Sequence, residues 1–414
     1  MFALIAPLLL LLAAFSPLSA QGTDDPEIRA AVDRFFEMQV AEDMEGYLSL
    51  WSSTVQRPTT AQLKYIFDSG DDKFTDISIV RVTTVGDRIR VRVAATRERT
   101  SKVNTRPDGT PMVFNTRLTL ALTFIRENGA LKLVSEGTPA DDLATALIAA
   151  GTPEARAALL DAEPDLIGQM LLSSLSRRGE NAVGVQLYSA AYAIFERAAE
   201  IARRIGDRKG EGLALQNMGN AKYFQHSFPA ALDAYRRRLA LEREIANDEG
   251  IASALLGVAT VQYSQFEYGD ALASYREAAA VQERTHDDSS LGTTLISTGN
   301  VLYLQGDYEG AIGDYSRSRE LLHKSFNLLG EARALEGLGR VYTAQGDYAS
   351  ALTAFAGMLA EGRARTNRPL LGNALQDIGD VHFRLGNLDI ARASFDESRG
   401  HFEATKDLAG VGRL

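Results

Sequence analysis

The sequence predicts an α-solenoid of stacked helical hairpins preceded by a smaller α+β domain. Three observations predict it. Small and large residues recur at a spacing of about 40 residues through the C-terminal part. The segment before them shows helical periodicity first and strand alternation afterwards. The first residues form a separate apolar run. With 414 residues the chain is long enough for two or three domains.

Residues 1–20 hold an unbroken apolar stretch from Phe2 to Phe15, followed by Ser16, Pro17, Leu18, Ser19 and Ala20. This reads as a secretory signal peptide cleaved after Ala20, which places the mature protein in the periplasm or outside the cell with no stable membrane span. The n-region lacks Lys and Arg, and Leu18 is bulky for its place before the cut. An uncleaved apolar anchor is the alternative reading, although the run is short for a span.

Residues 21–137 are expected to form the α+β domain. Ile28, Ala31, Val32, Phe35 and Phe36 make a helical stripe, with shorter helices near Met44 to Trp51 and Thr60 to Phe67. Ile89, Val91, Val93 and Ala95 then alternate with polar residues, as do Leu118, Leu120, Leu122 and Phe124. Gly86-Asp87 and Asn128-Gly129 are the expected hairpin turns. Arg88, Arg90 and Arg92, with Arg97 and Arg99, are expected as a basic ridge on the outer face, in the first place an ordinary solvated strand face and otherwise a dock for an acidic partner, the protein's own acidic helices being one candidate. The acidic pairs Glu42 with Asp43 and Asp71 with Asp72 are expected in turns and caps.

Residues 138–163 form an adaptor. Thr138-Pro139 and Thr152-Pro153 each place a Thr cap before a Pro at the first helical position, and Gly151 ends the helix between them. Residues 164–406 form the solenoid of six repeats. Gly219, Gly299, Gly339 and Gly379 share one register with Ala259, as do Ala231, Ala271, Ala311, Ala351 and Ala391. An aromatic row follows: Tyr235, Tyr275, Tyr315, Phe355 and Phe395, with Phe195 and Gly179 one step earlier. Small residues let paired helices approach and the aromatics fill the remaining space. The turns Gln305 to Tyr308 and Gln345 to Tyr348 read QGDY, where Gly turns the chain and Asp caps the next helix. Residues 407–414 begin a further, truncated repeat or a fraying stub.

Gly299, Tyr308, Ala311 and Tyr315 stand at small and aromatic consensus places, and the pattern resembles the tetratricopeptide repeat (TPR) family, in a long-repeat form without the closing proline. The order of helices and strands in 21–137 resembles the nuclear transport factor 2-like (SnoaL-like) fold, a cone of sheet wrapped around helices. That resemblance implies a pocket that binds or converts a small ligand, and it leaves self-association through the domain open. The adaptor and array together resemble the N-terminal part of exported bacterial proteins that continue into a caspase-like peptidase domain of the CHAT type.

The repeat resemblance implies a concave face lined by the first helix of each hairpin, carrying Asn217, Asn220, Thr260, Tyr263, Asn300, Tyr303, Arg333, Glu336, Arg340 and Asp380. Asn suits an extended peptide backbone because it donates and accepts; alternatively, Asn220 and Asn300 bond to the adjacent helix, and Tyr263 and Tyr303 pack between helices. The expected partner is a protein or peptide. A formal charge of −10 argues against nucleic acid. The chain has no cysteine, and its five histidines are scattered without metal-ligand spacing. No catalytic residue, metal or cofactor is expected, and the leading reading is a non-enzymatic scaffold.

Overall fold

An apolar stripe and a capping Asp start the first helix where the sequence places it. In the computed structural model, which describes residues 24–85 and 87–413, α1 (Pro26–Val40) buries Ile28, Val32, Phe35 and Phe36. Asp25 accepts hydrogen bonds from the amides of Glu27 and Ile28. α2 (Met44–Leu50) is capped by Asp43, and α3 (Thr60–Asp68) starts with a Thr59–Gln62 capping box. The expected signal segment and Gly86 lie outside the described residues.

β1 (Gly70–Val85), β2 (Arg88–Thr105), β3 (Pro111–Glu127) and β4 (Ala130–Gly137) form an antiparallel sheet in sequence order. Asn128 and Gly129 both take positive φ, as a tight β3–β4 hairpin requires. Val91, Val93, Leu122 and Phe124 pack with Phe35, Tyr47, Trp51 and Leu63 in one core.

Strand parity divides the arginines that were expected as one ridge. Side chains alternate along β2, whose pairing with β3 runs unbroken from Arg88 to Thr100. Arg88, Arg90 and Arg92 therefore face away from Val91 and Val93, whereas Arg97 and Arg99 share the core-side face. There Arg97 makes a two-pronged pair with Asp72, at 2.7 and 2.8 Å. Asp71 and Asp72 stand in β1, opposite Thr100 and Arg99, rather than in a turn.

The outer arginines dock on the protein's own acidic residues. α4 (Pro139–Ala149) and α5 (Pro153–Ala162) are capped by Thr138 and Thr152 as expected. Arg90 reaches Asp142 at 3.6 Å, Arg81 reaches Glu163 at 2.9 Å, and Arg92 pairs with both Glu163 and Asp165. The chain divides into two compact units, the first ending at Ser174 and the second beginning at Leu175.

Helices α6 (Gln169–Gly184), α7 (Tyr188–Arg204), α8 (Arg208–Phe224), α9 (Phe228–Glu244), α10 (Asp248–Ser264), α11 (Tyr268–Arg284), α12 (Asp288–Gln305), α13 (Tyr308–Lys324), α14 (Leu328–Gln345), α15 (Tyr348–Ala364), α16 (Arg368–Arg384) and α17 (Leu388–Ala404) follow as six hairpins among the described residues. A last short helix, α18 (Leu408–Gly412), buries Gly410 beside Phe402.

One turn geometry joins all of these helices. Gln186, Gly206, His226, Ala246, Phe266, His286, Gly306, Phe326, Gly346, Thr366, Gly386 and Lys406 all take positive φ. Their numbers advance in steps of 20, so the turn inside each hairpin and the turn between hairpins are the same device. At Gly306 and Gly346 the backbone meets no steric penalty, and Asp307 and Asp347 then cap the next helix through the amides of Gly310 and Ser350.

The glycine row has one structural role. A methyl group at Gly219, Gly299, Gly339 or Gly379 would lie 2.4 to 2.8 Å from the ring of Tyr235, Tyr315, Phe355 or Phe395. Tyr235 and Tyr315 are clasped from their other side too, by Gly257 and Gly337 of the next hairpin. The aromatic ring therefore locks the two helices of its hairpin and the hairpin after it.

A second interior place varies between hairpins. Arg238 and Glu242, 5% and 2% exposed, form a buried pair at 3.2 Å. Gln216 and Ser253 accept from Arg238, and Asn247 donates to Glu242. Gly212 and Gly250 make room for the carboxylate. Two hairpins later the same places hold Ser318 and Leu322, with Gly292 and Gly330 around Leu322 and the Ser318 hydroxyl on the Gly292 carbonyl.

Two outcomes are expected. Thr366, β-branched at φ 53°, is strained, so Thr366→Gly should raise stability by roughly 1 kcal/mol in urea unfolding. Arg238→Ser alone should cost about 3–5 kcal/mol by stranding Glu242. The double change Arg238→Ser with Glu242→Leu, which copies the Ser318 and Leu322 arrangement, should recover most of that loss in the same measurement.

Candidate functional site

The first helices α8, α10, α12, α14 and α16 carry the residues expected to bind. Asn220 and Asn300 are half-buried, and their Oδ1 atoms accept from the hydroxyls of Tyr235 and Tyr315, each at 2.7 Å. Their carbonyl oxygens thus hold the second helix of their own hairpin, and their role is at least partly internal. Gln216 also donates to Asn220 at 3.2 Å. Thr260 donates to the Leu256 carbonyl within α10. Tyr263 packs on Tyr268, with ring centroids 5.7 Å apart. Asn217 and Glu336 are half-buried and Arg333 is exposed.

Three of the expected residues come together. Tyr303, Arg340 and Asp380 line one cavity of about 490 Å³. The Arg340 guanidinium lies 5.4 Å from the centre of the Tyr303 ring, within cation–π range. Tyr348, Phe355, Asp377 and Arg384 share its wall. The Asp377 carboxyl is pushed up to about 7 by burial and by the negative charges of Glu336 and Asp380, against a smaller opposite effect of Arg340 and Arg413. Its Oδ2 is buried without a hydrogen-bond partner. Asp380 is raised as well, by burial.

Asp377, Arg384 and Tyr348 are not among the residues expected to bind, though the register held the signal for two of them. Asp377 occupies the Asn217 place four steps of 40 later, and Arg384 lies one helical turn beyond Asp380. What the register could not show is that the half-buried Asp377 turns its Oδ2 inward, out of reach of solvent.

The first unit has a cavity of its own, about 420 Å³, with Phe35, Leu63, Phe67 and Phe74 beside Tyr47, Asp72, Arg97, Arg99 and Glu136. Much of Glu136 is exposed, but its carboxyl group turns inward and accepts from the Tyr47 hydroxyl. Burial raises the pKa of both groups. Tyr47 and Glu136 are far apart in sequence, and neither belongs to a motif, so nothing in the chain announced them.

Residues 250–404 match the tetratricopeptide repeat model in three overlapping windows, 250–324, 291–360 and 330–404. This stretch is made of tetratricopeptide repeats. No curated protein matches the chain. Among solved structures, a signal transduction ATPase with numerous domains and a tetratricopeptide repeat sensor, from Pyrococcus horikoshii, is similar with 17% identity and a TM-score of 0.50. The match covers 65% of this chain and 43% of that one, so it spans less than half of the ATPase. Aspartyl phosphate phosphatase F from Bacillus subtilis is 16% identical over 63% of this chain and 77% of that chain, with a TM-score of 0.48. BtubC from P. vanneervenii is 16% identical over 52% and 91%, also with a TM-score of 0.48. At 17% identity the likeness to the ATPase is one of fold alone. In this chain the helical solenoid follows a small four-stranded antiparallel sheet in sequence. Among the described residues no helix is long and apolar enough to cross a membrane.

The Asp377 shift sets a pH dependence. Its ordinary value is 3.8 and the folded value is about 7, so the folded state holds a proton that the unfolded state has released between these limits. The associated stability is complete below about pH 4 and is lost as pH rises to about 7. Asp377→Asn should therefore raise the melting temperature over the parent at pH 8, with the gain shrinking toward pH 4. An equal gain at both pH values would show that Asp377 titrates normally.

Proposed function

We propose that this protein is an exported, non-enzymatic scaffold that binds a protein or peptide on the concave face of its repeat array. The observation that carries the reading is the cavity of Tyr303, Arg340, Asp377 and Asp380, where charged groups gather on the first helices instead of being spent inside a hairpin. Two further features support it. First helices of successive hairpins touch, α8 with α10 and α12 with α14. Second helices are bridged by exposed ion pairs that reach across through long side chains, Arg243 with Glu277 and Arg317 with Glu283. Closer approach on one side than the other curves an array toward the first helices.

Export rests on residues 1–20, with the mature chain starting at Gln21. In this reading the adaptor of 138–163 joins a nuclear transport factor 2-like domain to the array of 164–406. The alternative of a regulatory segment of a CHAT-type peptidase rests on family resemblance alone. A second reading has an observation in its favour. The first-unit cavity, with an apolar floor and the Tyr47–Glu136 pair, is shaped for a small ligand. Ligand binding there would raise the melting temperature in a metabolite screen of the full chain.

The scaffold reading is tested by selecting linear peptides from a random display library on the full chain. Selected peptides should lose about tenfold or more in affinity with Arg340→Glu or Arg333→Glu, while Arg237→Glu, on a second helix, should leave affinity unchanged. Equal affinity for all three variants would sink the assignment of the face.

A further inference from the structure

We propose that the cavity between α14 and α16 receives the cationic side chain of a lysine or arginine from the bound segment, with the Asp377 carboxylate as its acceptor. This rests on the reading that the first-helix face binds a peptide or protein, and it names what that face selects.

Equivalent places along the array are filled in different ways. Around Tyr235 the interior is self-sufficient: Gly219 and Gly257 clasp the ring, and Asn220 takes the hydroxyl. Around Tyr315 the same solution recurs with Gly299, Gly337 and Asn300. One hairpin later three of these places change together. The ring is Phe355, without a hydroxyl; the Asn place holds Arg340; and the place of Gly257 and Gly337 holds Asp377. The internal hydrogen bond is gone, and a carboxylate stands where a glycine would have closed the joint. Its Oδ2 is buried and unpartnered, a condition that burial makes costly unless a donor arrives.

The surroundings favour a cation as that donor. From α14, Glu336 and Arg340 face Asp377; from α16 itself come Asp380 and Arg384; Arg413 faces it from beyond α18; and α15 contributes Phe355 and Tyr348 to the wall. Arg340 already lies over the Tyr303 ring and Arg413 over Phe402, and neither supplies the missing bond to Oδ2. Tyr303 and Tyr348 offer ring surface for the methylene stem of a long basic side chain, leaving its charged end to the carboxyl group. The raised pKa of Asp377 fits the same picture, since an incoming cation would compensate the repulsion from Glu336 and Asp380.

The probes are the N-acetyl methylamides of lysine, arginine, norleucine and glutamate, titrated into the full chain with tyrosine-ring NMR signals as readout. The lysine and arginine probes should shift the Tyr303 and Tyr348 signals, and norleucine and glutamate should not. Asp377→Asn, which keeps the side-chain shape, should weaken the lysine probe about tenfold. Parent affinity for that probe should rise between pH 6 and pH 8, as Asp377 loses its proton. Stronger binding of glutamate than lysine would assign the cavity to an anion held by Arg340 and Arg384, and would overturn the proposal. So would equal binding of lysine and norleucine, or of lysine to parent and variant. Display-selected peptides separate this from the broader reading. If they bind through Arg333 and Arg340, carry no enriched basic residue and ignore Asp377→Asn, the cation pocket falls while the scaffold stands. If no peptide is selected but the lysine probe binds through Asp377, the pocket stands and the scaffold reading falls.

Discussion

The array depends on a ring pressed against a position with no side chain. A flat aromatic can lie across a helix backbone only where Cβ is missing, and at Gly219, Gly299, Gly339 and Gly379 a single added methyl would enter the ring. Where Gly257 and Gly337 repeat the arrangement from the following hairpin, one ring fixes three helices. Close packing of this kind tolerates little change in volume. That constraint sets the helix spacing, and with it the positions of the residues that reach the exposed face.

Given that frame, the array varies in what it does with polar groups. Tyr235 and Tyr315 spend their hydroxyls inside the hairpin, on Asn220 and Asn300. Arg238 and Glu242 neutralise one another in the interior, assisted by Gln216, Ser253 and Asn247. Around Asp377 the chain departs from both solutions and leaves a carboxyl oxygen unanswered. Sequences are expected to be locally consistent except where a function is served, which is why the inconsistent hairpin, and not the most regular one, attracts a functional reading.

Much of this was legible in the chain, and the reasons for success and failure are physical. Small and aromatic residues repeating at a fixed step can be read because packing punishes any change there, and the caps Thr138, Thr152, Asp307 and Asp347 can be read because a cap is a local bond. The arginines of β2 were grouped wrongly because Arg92 and Arg97 are an odd number of residues apart, which strand alternation converts into opposite faces. β1 was hard to see because its register against β2 shifts twice, near Thr75 and Ile79, and its apolar residues do not alternate cleanly. Tyr47 with Glu136, and Asp377 with its neighbours, depend on contacts between distant elements that no local pattern encodes. Asn220 and Asn300 were located, but sequence could not decide between binding and bracing, because an amide suits both.

The uniform step of the left-handed residues from Gln186 to Lys406 has an evolutionary consequence. Since each turn has the same hand and the helices differ by at most one residue in length from α7 to α17, a block of two helices excised or duplicated with its ends at any pair of like turns would rejoin in phase. Unequal recombination within such a gene would then lengthen or shorten the rod by whole units, and the penalty would fall on the few junctions, such as the one around Asp377, whose contents are not interchangeable.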